Sequence, residues 1–378
     1  MRRSWTLDRP EPAYAKEEHQ VDELVEHLAN WKGPIGYDTE TTGLELVGNN
    51  IVYFSFSTIA EGGPDDNRFF IERKWLEKFR PVLEDPTKAW VGSQIKYDAN
   101  MTKNSGIWMP GDLMCTLTMD RMVDPKQQHG LKEAYEREFG EKMMSFAQTF
   151  YPKNKKGKPA KPKNMELYQI MQERFKEDPD RVIDYASLDA WAVLRLFWRL
   201  KEKLESVETW YGWDLFDVFL EFEVPFTRVL FHMEAQGVML DKDYLHEIRQ
   251  PIVDKINEVG AKLSKAAGWD LNPKSTPQLN KFLFEKLKLE PFKKTKTGAP
   301  STDMEVMKRY ASVGVEVVKL ILEHRSLVKL LGTYVDGLLK WADANGRIHT
   351  TLNQHRADTT RLSSSDPNLQ NQTRSGSA

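Results

Sequence analysis

Apolar positions in the first third of the chain come in short runs. Residues 34–38 (PIGYD), 51–57 (IVYFSFS) and 68–71 (RFFI) are each bounded by Gly, Asn, Asp or Pro. They read as three strands close enough to be joined as hairpins, an antiparallel meander. From Trp75 the spacing becomes helical. Residues 89–92 (AWVG) read as a further strand, and residues 97–105, with Gly106 behind them, as a short helix with a glycine stop. Asp178-Pro179 opens a long helix whose apolar positions Val182, Ala186, Ala190, Val193, Phe197, Leu200 and Leu204 recur at helical spacing.

After residue 204 the pattern turns almost wholly helical. Residues 222–237, 241–267 and 313–339 read as long helices; in the last, Val317, Leu320, Ile321, Leu327, Val328, Leu331, Val335 and Leu338 form an apolar stripe. Two stretches lack apolar residues and carry Lys, Gly and Pro instead. Residues 153–163 read as an exposed, solvated loop, with a phosphate-contacting arm as the sharper alternative, and residues 286–300 as a basic tip. No internal repeat is evident.

Composition narrows the class. At 378 residues, 40% hydrophobic and 11% aromatic, the chain can build more than one core. Its 54 basic and 56 acidic residues leave a formal charge of -2, so any surface that attracts a polyanion must be local. The single cysteine, Cys115, cannot form an internal disulfide, and metal sites must draw on oxygen or histidine. The N-terminus turns polar after Met-Arg-Arg, and no run nears the roughly 18 apolar residues of a membrane span. The expected setting is cytoplasmic, with no membrane partner.

The candidate chemistry begins in residues 35–46, IGYDTETTGLEL. Residues i and i+2 of a strand share a face, so Asp38 and Glu40 project together. Two adjacent, partly buried carboxylates repel, and one stays protonated unless a cation neutralises them. Oxygen-only ligands suit hard ions such as Mg²⁺ and Mn²⁺. Asp98 begins the predicted short helix, and Tyr185 and Asp189, four apart, share a face of the long one. Each also has a plain reading: turn or capping acids for Asp38 and Glu40, an N-cap for Asp98, a helix-surface pair for Tyr185 and Asp189.

Together they match a known pattern. Asp38-Thr-Glu40 in YDTETTGL, Tyr97-Asp98 in GSQIKYD and Tyr185-x-x-x-Asp189-Ala190 in YASLDAWA follow in order over about 150 residues. With these motifs the first half resembles the DnaQ-like 3′-to-5′ exonucleases of ribonuclease-H-like fold and Asp-Glu-Asp-Asp-Tyr type. DPKQQHGLKEAYEREFG is similar to the family's segment before the third motif. The resemblance implies an α/β domain with a mixed sheet flanked by helices, and two divalent ions, Mg²⁺ or Mn²⁺, roughly 4 Å apart. It implies that Asp38 bridges both ions, that Glu40 and Asp189 help hold the one activating the attacking water, and that Asp98 holds the second through water. Tyr185 is expected to orient the nucleophile. Nucleoside monophosphates would leave one at a time from a 3′ end. Thr39 and Leu44 lie where the family contacts the terminal nucleotide. Gln94 stands where the family usually has an Asn that helps hold the substrate strand.

The second half resembles the family A DNA polymerases, of the bacterial polymerase I and phage replicative type. EVPFTRVLFHMEAQGVMLD is similar to the start of their polymerase region, LNPKSTPQLNKFLFEKL and KKTKTGAPSTDMEVM to the thumb, and ILEHRSLVKLLGTYVDGL to its return helix. TRLSSSDPNLQN is the most specific match. By this resemblance Arg361, Ser363, Asn368, Gln370 and Asn371 are expected to touch primer-template DNA, and Thr360 stands where glycine is usual. The implied organisation is an exonuclease domain over 1–204, a mainly α thumb over 205–345 and the first edge of a palm over 346–378. The palm aspartates and the nucleotide-binding lysine of the family do not follow, so this chain by itself is not expected to synthesise DNA. It reads as a shortened form or as one half of a split polymerase whose partner is a second chain. The absence of a preceding 5′-nuclease domain suits phage-like members, hence host cytoplasm if phage-encoded. The rival readings are an RNase D-like exonuclease acting on RNA and a non-catalytic DNA-binding subunit.

Overall fold

Six strands form one mixed sheet: β1 (Pro12–Tyr14), β2 (Ile35–Thr41), β3 (Ile51–Ile59), β4 (Asp66–Glu72), β5 (Ala89–Gly92) and β6 (Asp112–Cys115), in the spatial order β1-β4-β3-β2-β5-β6. In this computed structural model, which describes residues 9–61, 66–209 and 212–371, the antiparallel meander is β2-β3-β4. β5 joins β2 in parallel and β6 joins β5 likewise. Parallel neighbours need a crossover, and the helix Ile95–Asn104 lies in the one between β5 and β6.

β3 is buried along its whole length because both faces of the sheet are covered. On one face Phe54 and Phe56 meet Tyr37, Phe79 and Trp90, with ring centroids 5.2 to 6.0 Å apart. On the other, Ser55 Oγ donates to the carbonyl of Ala186 at 2.8 Å, pinning the helix Pro179–Glu205 to the strand.

That helix starts where Asp178 accepts the Arg181 N–H at 3.3 Å, with Pro179 in its first turn. All seven positions of the expected stripe are buried, but so is every residue from Tyr185 to Trp198. A helix enclosed on all sides belongs to the core rather than to a surface. Its one buried cation, Arg195, donates to Tyr135 Oη at 2.8 Å and lies 4.4 Å over the ring of Phe139.

Contacts divide the chain into two units, Met1–Gly237 with His349–Asn368, and Val238–Ile348 with the residues from Leu369 onward. Residues 205–237, read as the start of the thumb, pack into the first unit through Phe216, Phe219, Val224 and Phe231. Residues 349–368, the larger part of the 346–378 stretch read as the palm edge, pack there too. Their strands Thr351–Asn353 and Ser363–Ser365 pair antiparallel.

The second unit is helical. Lys242–Ala267 and Glu316–Lys329 pack together, and Met304–Ser312 closes a core of Val259, Leu263, Phe282, Met307, Tyr310 and Ile321. The expected single helix over 313–339 is instead three segments: Glu316–Lys329, a π-helical turn Leu330–Val335, and Asp336–Trp341. Within the first segment Val318 and Ile321 are the deeply buried apolar positions, while Val317 and Leu320 are half-buried.

Residues 153–163 are largely exposed, yet Asn154 and Lys158 close a tight turn with Gly157 at φ 73°. Residues 286–300 do likewise through Thr295 and Ala299, with Gly298 at φ 85°. Among the described residues no helix is long and apolar enough to cross a membrane. The polar ends at residues 1–8 and 372–378 lie outside the described residues.

Candidate active site

Asp38 and Glu40 lie on β2 opposite Ser55 and Tyr53 of β3, on the side covered by the helix that carries Asp189. Each of Asp38, Glu40 and Asp189 offers an oxygen within 4.8 Å of those of the other two. Three carboxylates this close repel one another, and the cation of Lys132, whose Nζ is 3.9 Å from Asp189 Oδ2, offsets part of that repulsion. Asp189 Oδ1 is buried with no hydrogen-bond partner.

Burial is the largest cause pushing all four acids upward, and mutual repulsion adds to it at Asp38 and Glu40. Asp38 rises well above the usual carboxylate range, Glu40 to about 8, Asp98 to about 7 and Asp189 to about 6. Lys132 pulls Asp38, Glu40 and Asp189 back down without cancelling the rise.

Asp98 is the fourth residue of the helix Ile95–Asn104, not its N-cap; the chain enters helical geometry earlier than the glycine-stop reading implied. Its Oδ1 accepts the backbone N–H of Thr39 at 3.1 Å and the Thr39 hydroxyl at 2.7 Å. Gln94 occupies the N-cap position, exposed, with no capping bond from its side chain. Tyr185 lies under Lys132, whose Nζ is 4.6 Å from the ring centre and 3.4 Å from the hydroxyl. Burial first, then Asp189, push that hydroxyl far above the usual phenol range, so it stays protonated.

These groups open into one cavity of about 410 Å³. Asp38, Thr39, Glu40, Leu44, Gln94, Asp98, Tyr185 and Asp189 all line it, and Leu44 is 83% exposed there. Of the other residues expected to touch nucleic acid, none lines it. Arg361 is exposed, Ser363 pairs with Asn353, Asn368 is exposed at the end of the first unit, and exposed Gln370 and Asn371 fall in the second unit. Thr360 has φ 60°, the left-handed region in which glycine is favoured.

Several contributors are not singled out by the motifs. Lys132 sits within the segment quoted before the third motif, but its aim at Asp189 depends on how the helix Leu131–Phe139 packs. Tyr97 donates to the carbonyl of Gly43 at 2.5 Å and also contacts Thr41 Oγ1, tying the loop after β2 to the Asp98 helix. Gln354, His355 and Arg356 reach the cavity from a segment far away in sequence. No residue pattern announced them.

Comparison with known proteins agrees with this geometry. Residues 12–205 match the family model described as 3'-5' exonuclease, and residues 242–376 the one described as DNA polymerase family A. DNA polymerase I of Pseudomonas aeruginosa is 31% identical over 351 residues, covering 89% of this chain and 36% of that protein. DNA polymerase I of Chloroflexus aurantiacus is 28% identical over 380 aligned residues, covering 97% and 38%. The chain thus spans little more than a third of the length of these relatives. The POL domain of Pol1 from M. smegmatis, solved in complex with DNA primer-template and dNTP, aligns with a TM-score of 0.69 at 23% identity over 95% of this chain and 55% of that one, a likeness of fold. The chain belongs to the 3'-5' exonuclease family over its first half and to DNA polymerase family A over the region that follows.

Proposed function

We propose that this chain is a metal-dependent 3′-to-5′ exonuclease acting on DNA, the proofreading part of a family A polymerase, and that its second unit binds DNA. The observation that carries the reading is the meeting of Asp38, Glu40, Asp98 and Asp189, from three distant segments, in a single cavity.

The donor set suits two hard divalent ions, Mg²⁺ or Mn²⁺. It is all carboxylate oxygen, it holds one buried oxygen with no partner, and its acids are crowded enough to favour an added cation. Asp38 would serve both ions, Glu40 and Asp189 one, and Asp98 the other. Such ions supply Lewis-acid stabilisation of phosphoryl charge and ease deprotonation of the attacking water.

The protein's own groups do the positioning. The two Thr39 bonds fix the Asp98 carboxylate, so its free oxygen points where the backbone of β2 directs it. The protonated Tyr185 hydroxyl offers a hydrogen bond that orients a water for attack on the terminal phosphodiester. Lys132 offsets acid charge before ions arrive. Exposed Leu44 offers an apolar face to the terminal base, and Thr39 and Gln94 contact the strand. Arg361, Ser363, Asn368, Gln370 and Asn371 would engage primer-template backbone and bases.

The test is trimming of a 5′-labelled single strand with Mg²⁺ or Mn²⁺. Asp38→Ala is expected to abolish release of mononucleotides; undiminished trimming by that variant would refute the reading. An RNA strand of the same sequence, run in parallel, reports sugar selectivity.

A further inference from the structure

The carboxylate cavity has a second source of lining, the hairpin loop that follows Thr351–Asn353, which brings His355 and Arg356 to it. Resting on the exonuclease reading above, we propose that Arg356, with His355 beside it, binds a phosphate of the nucleic-acid strand upstream of the bond being cut.

Four basic side chains act electrostatically on His355: Arg356, His129, Lys96 and Arg121. Three of them are already matched. Lys96 Nζ lies 2.5 Å from Glu234, Arg121 Nη2 lies 3.1 Å from Glu223, and His129 Nδ1 lies 2.8 Å from Asp120. Arg356 is exposed and has no hydrogen bond or ion pair among the described residues. Of the described lysines and arginines that line the cavity, Lys96 and Arg356, it is Arg356 whose charge is left for an outside anion.

His355 is held neutral, burial first and Arg356 next lowering it to about 4. A neutral imidazole adds a hydrogen-bonding edge beside the guanidinium and does not repel it. The loop that presents both is anchored, because Gln354 donates to Glu223 at 2.8 Å and lies 3.0 Å from the Thr227 hydroxyl.

The anion that fits is a phosphodiester. A strand whose 3′ end enters a pocket of four acids carries its remaining phosphates past the rim, where ionised carboxylates disfavour them. Lys132 faces the acids and donates to the Met144 carbonyl, so it does not serve the upstream strand. A guanidinium offers a planar fork to two phosphate oxygens, where an ammonium would act as a point charge. This contact carries no sequence information, as trimming of any 3′ end requires.

The experiment compares tetrathymidylate, which has phosphates upstream of the terminal bond, with the dinucleotide TpT, which has none. In the Asp38→Ala protein, Arg356→Ala is expected to weaken tetrathymidylate binding by about 3- to 10-fold and to reduce the slope of log affinity against log salt by about 0.7. Arg356→Lys should recover most of that slope, and Lys142→Ala, an exposed cation away from the cavity, should alter neither quantity. With Asp38 intact, Arg356→Ala should lower kcat/KM for tetrathymidylate but not for TpT. Equal affinity and slope in Arg356→Ala, equal losses on both substrates, or no binding of the tetranucleotide at all would overturn the proposal. Loss of the exonuclease reading shows separately, as trimming that survives Asp38→Ala.

Discussion

Gly36 lies against the backbone of Ala190: a Cβ built on Gly36 would fall 2.2 Å from the Ala190 carbonyl oxygen. Glycine is required here for close approach, not for its φ. The contact sits two residues before Asp38 and one after Asp189, so it sets the distance between the strand acids and the helix acid. Gly36→Ala is expected to push the helix Pro179–Glu205 off β2, to cost about 1–3 kcal/mol of stability and to lower metal-dependent trimming disproportionately. Thermal unfolding and Mn²⁺ titration on the same preparation check it; unchanged metal affinity would show that the spacing does not matter.

The four acids make metal-free stability depend on pH in the less common direction. Their folded values are raised, so the folded state binds more protons than the unfolded state above pH about 4. Stability in chelator is therefore full below that pH and falls as pH rises toward about 8, the value for Glu40. Because ions displace those protons, the gain in Tm on adding Mn²⁺ should grow across the same window. Melting curves from pH 5 to 8.5, with and without metal, read both; a metal-free Tm that rises with pH in that window would contradict the burial of these groups.

Tyr185→Phe removes the hydroxyl and leaves the ring that Phe146 and Phe150 pack against. Folding and metal binding should persist, while kcat for trimming drops by about 10-fold or more, as expected on losing an oriented hydrogen bond at the attacking water. An equal rise in KM with kcat intact would place Tyr185 in strand binding instead.

Lys96 and Glu234 form a buried pair, with side chains 12% and 1% exposed. Glu234 also accepts the Leu352 N–H at 2.8 Å and faces Asn100 at 3.3 Å, linking the Asp98 helix to the strand Thr351–Asn353. Glu234→Ala leaves a buried ammonium unpaired and is expected to cost about 3–5 kcal/mol. Denaturant unfolding checks it, and the double variant Lys96→Met/Glu234→Leu should recover much of the loss.

Thr360 is β-branched and has φ 60°, a conformation that costs an L-residue about 1–2 kcal/mol. Glycine removes that strain but loses about 0.5–1 kcal/mol of backbone entropy. Thr360→Gly should therefore stabilise by about 0.5–1 kcal/mol, seen as a Tm rise of a few degrees or less. A loss of stability would show that the turn is held by the Thr360 side chain.

Much of the fold was legible because its signals are local. The strand runs bounded by turn residues became β2 to β5, and Asp178-Pro179 marked a helix start to the residue. The stripe over residues 313–339 was less reliable. The π-helical turn Leu330–Val335 breaks the constant period that a helical stripe assumes, and packing on Lys242–Ala267 selects Val318 over Val317. The helix Pro179–Glu205 showed its stripe but not its full enclosure, since enclosure depends on what lies across from it.

By itself the sequence determined the kinds of chemistry available: carboxylates two apart on a strand, an acid in a short helix after the next strand, and a Tyr and an Asp one helical turn apart. Such spacing is set by backbone geometry and survives any packing of the elements. Only the tertiary structure decided that these acids share one cavity, that Lys132 faces them and that Arg356 reaches its edge without a carboxylate partner. Those facts depend on how surfaces distant along the chain fit together, and no local periodicity encodes that.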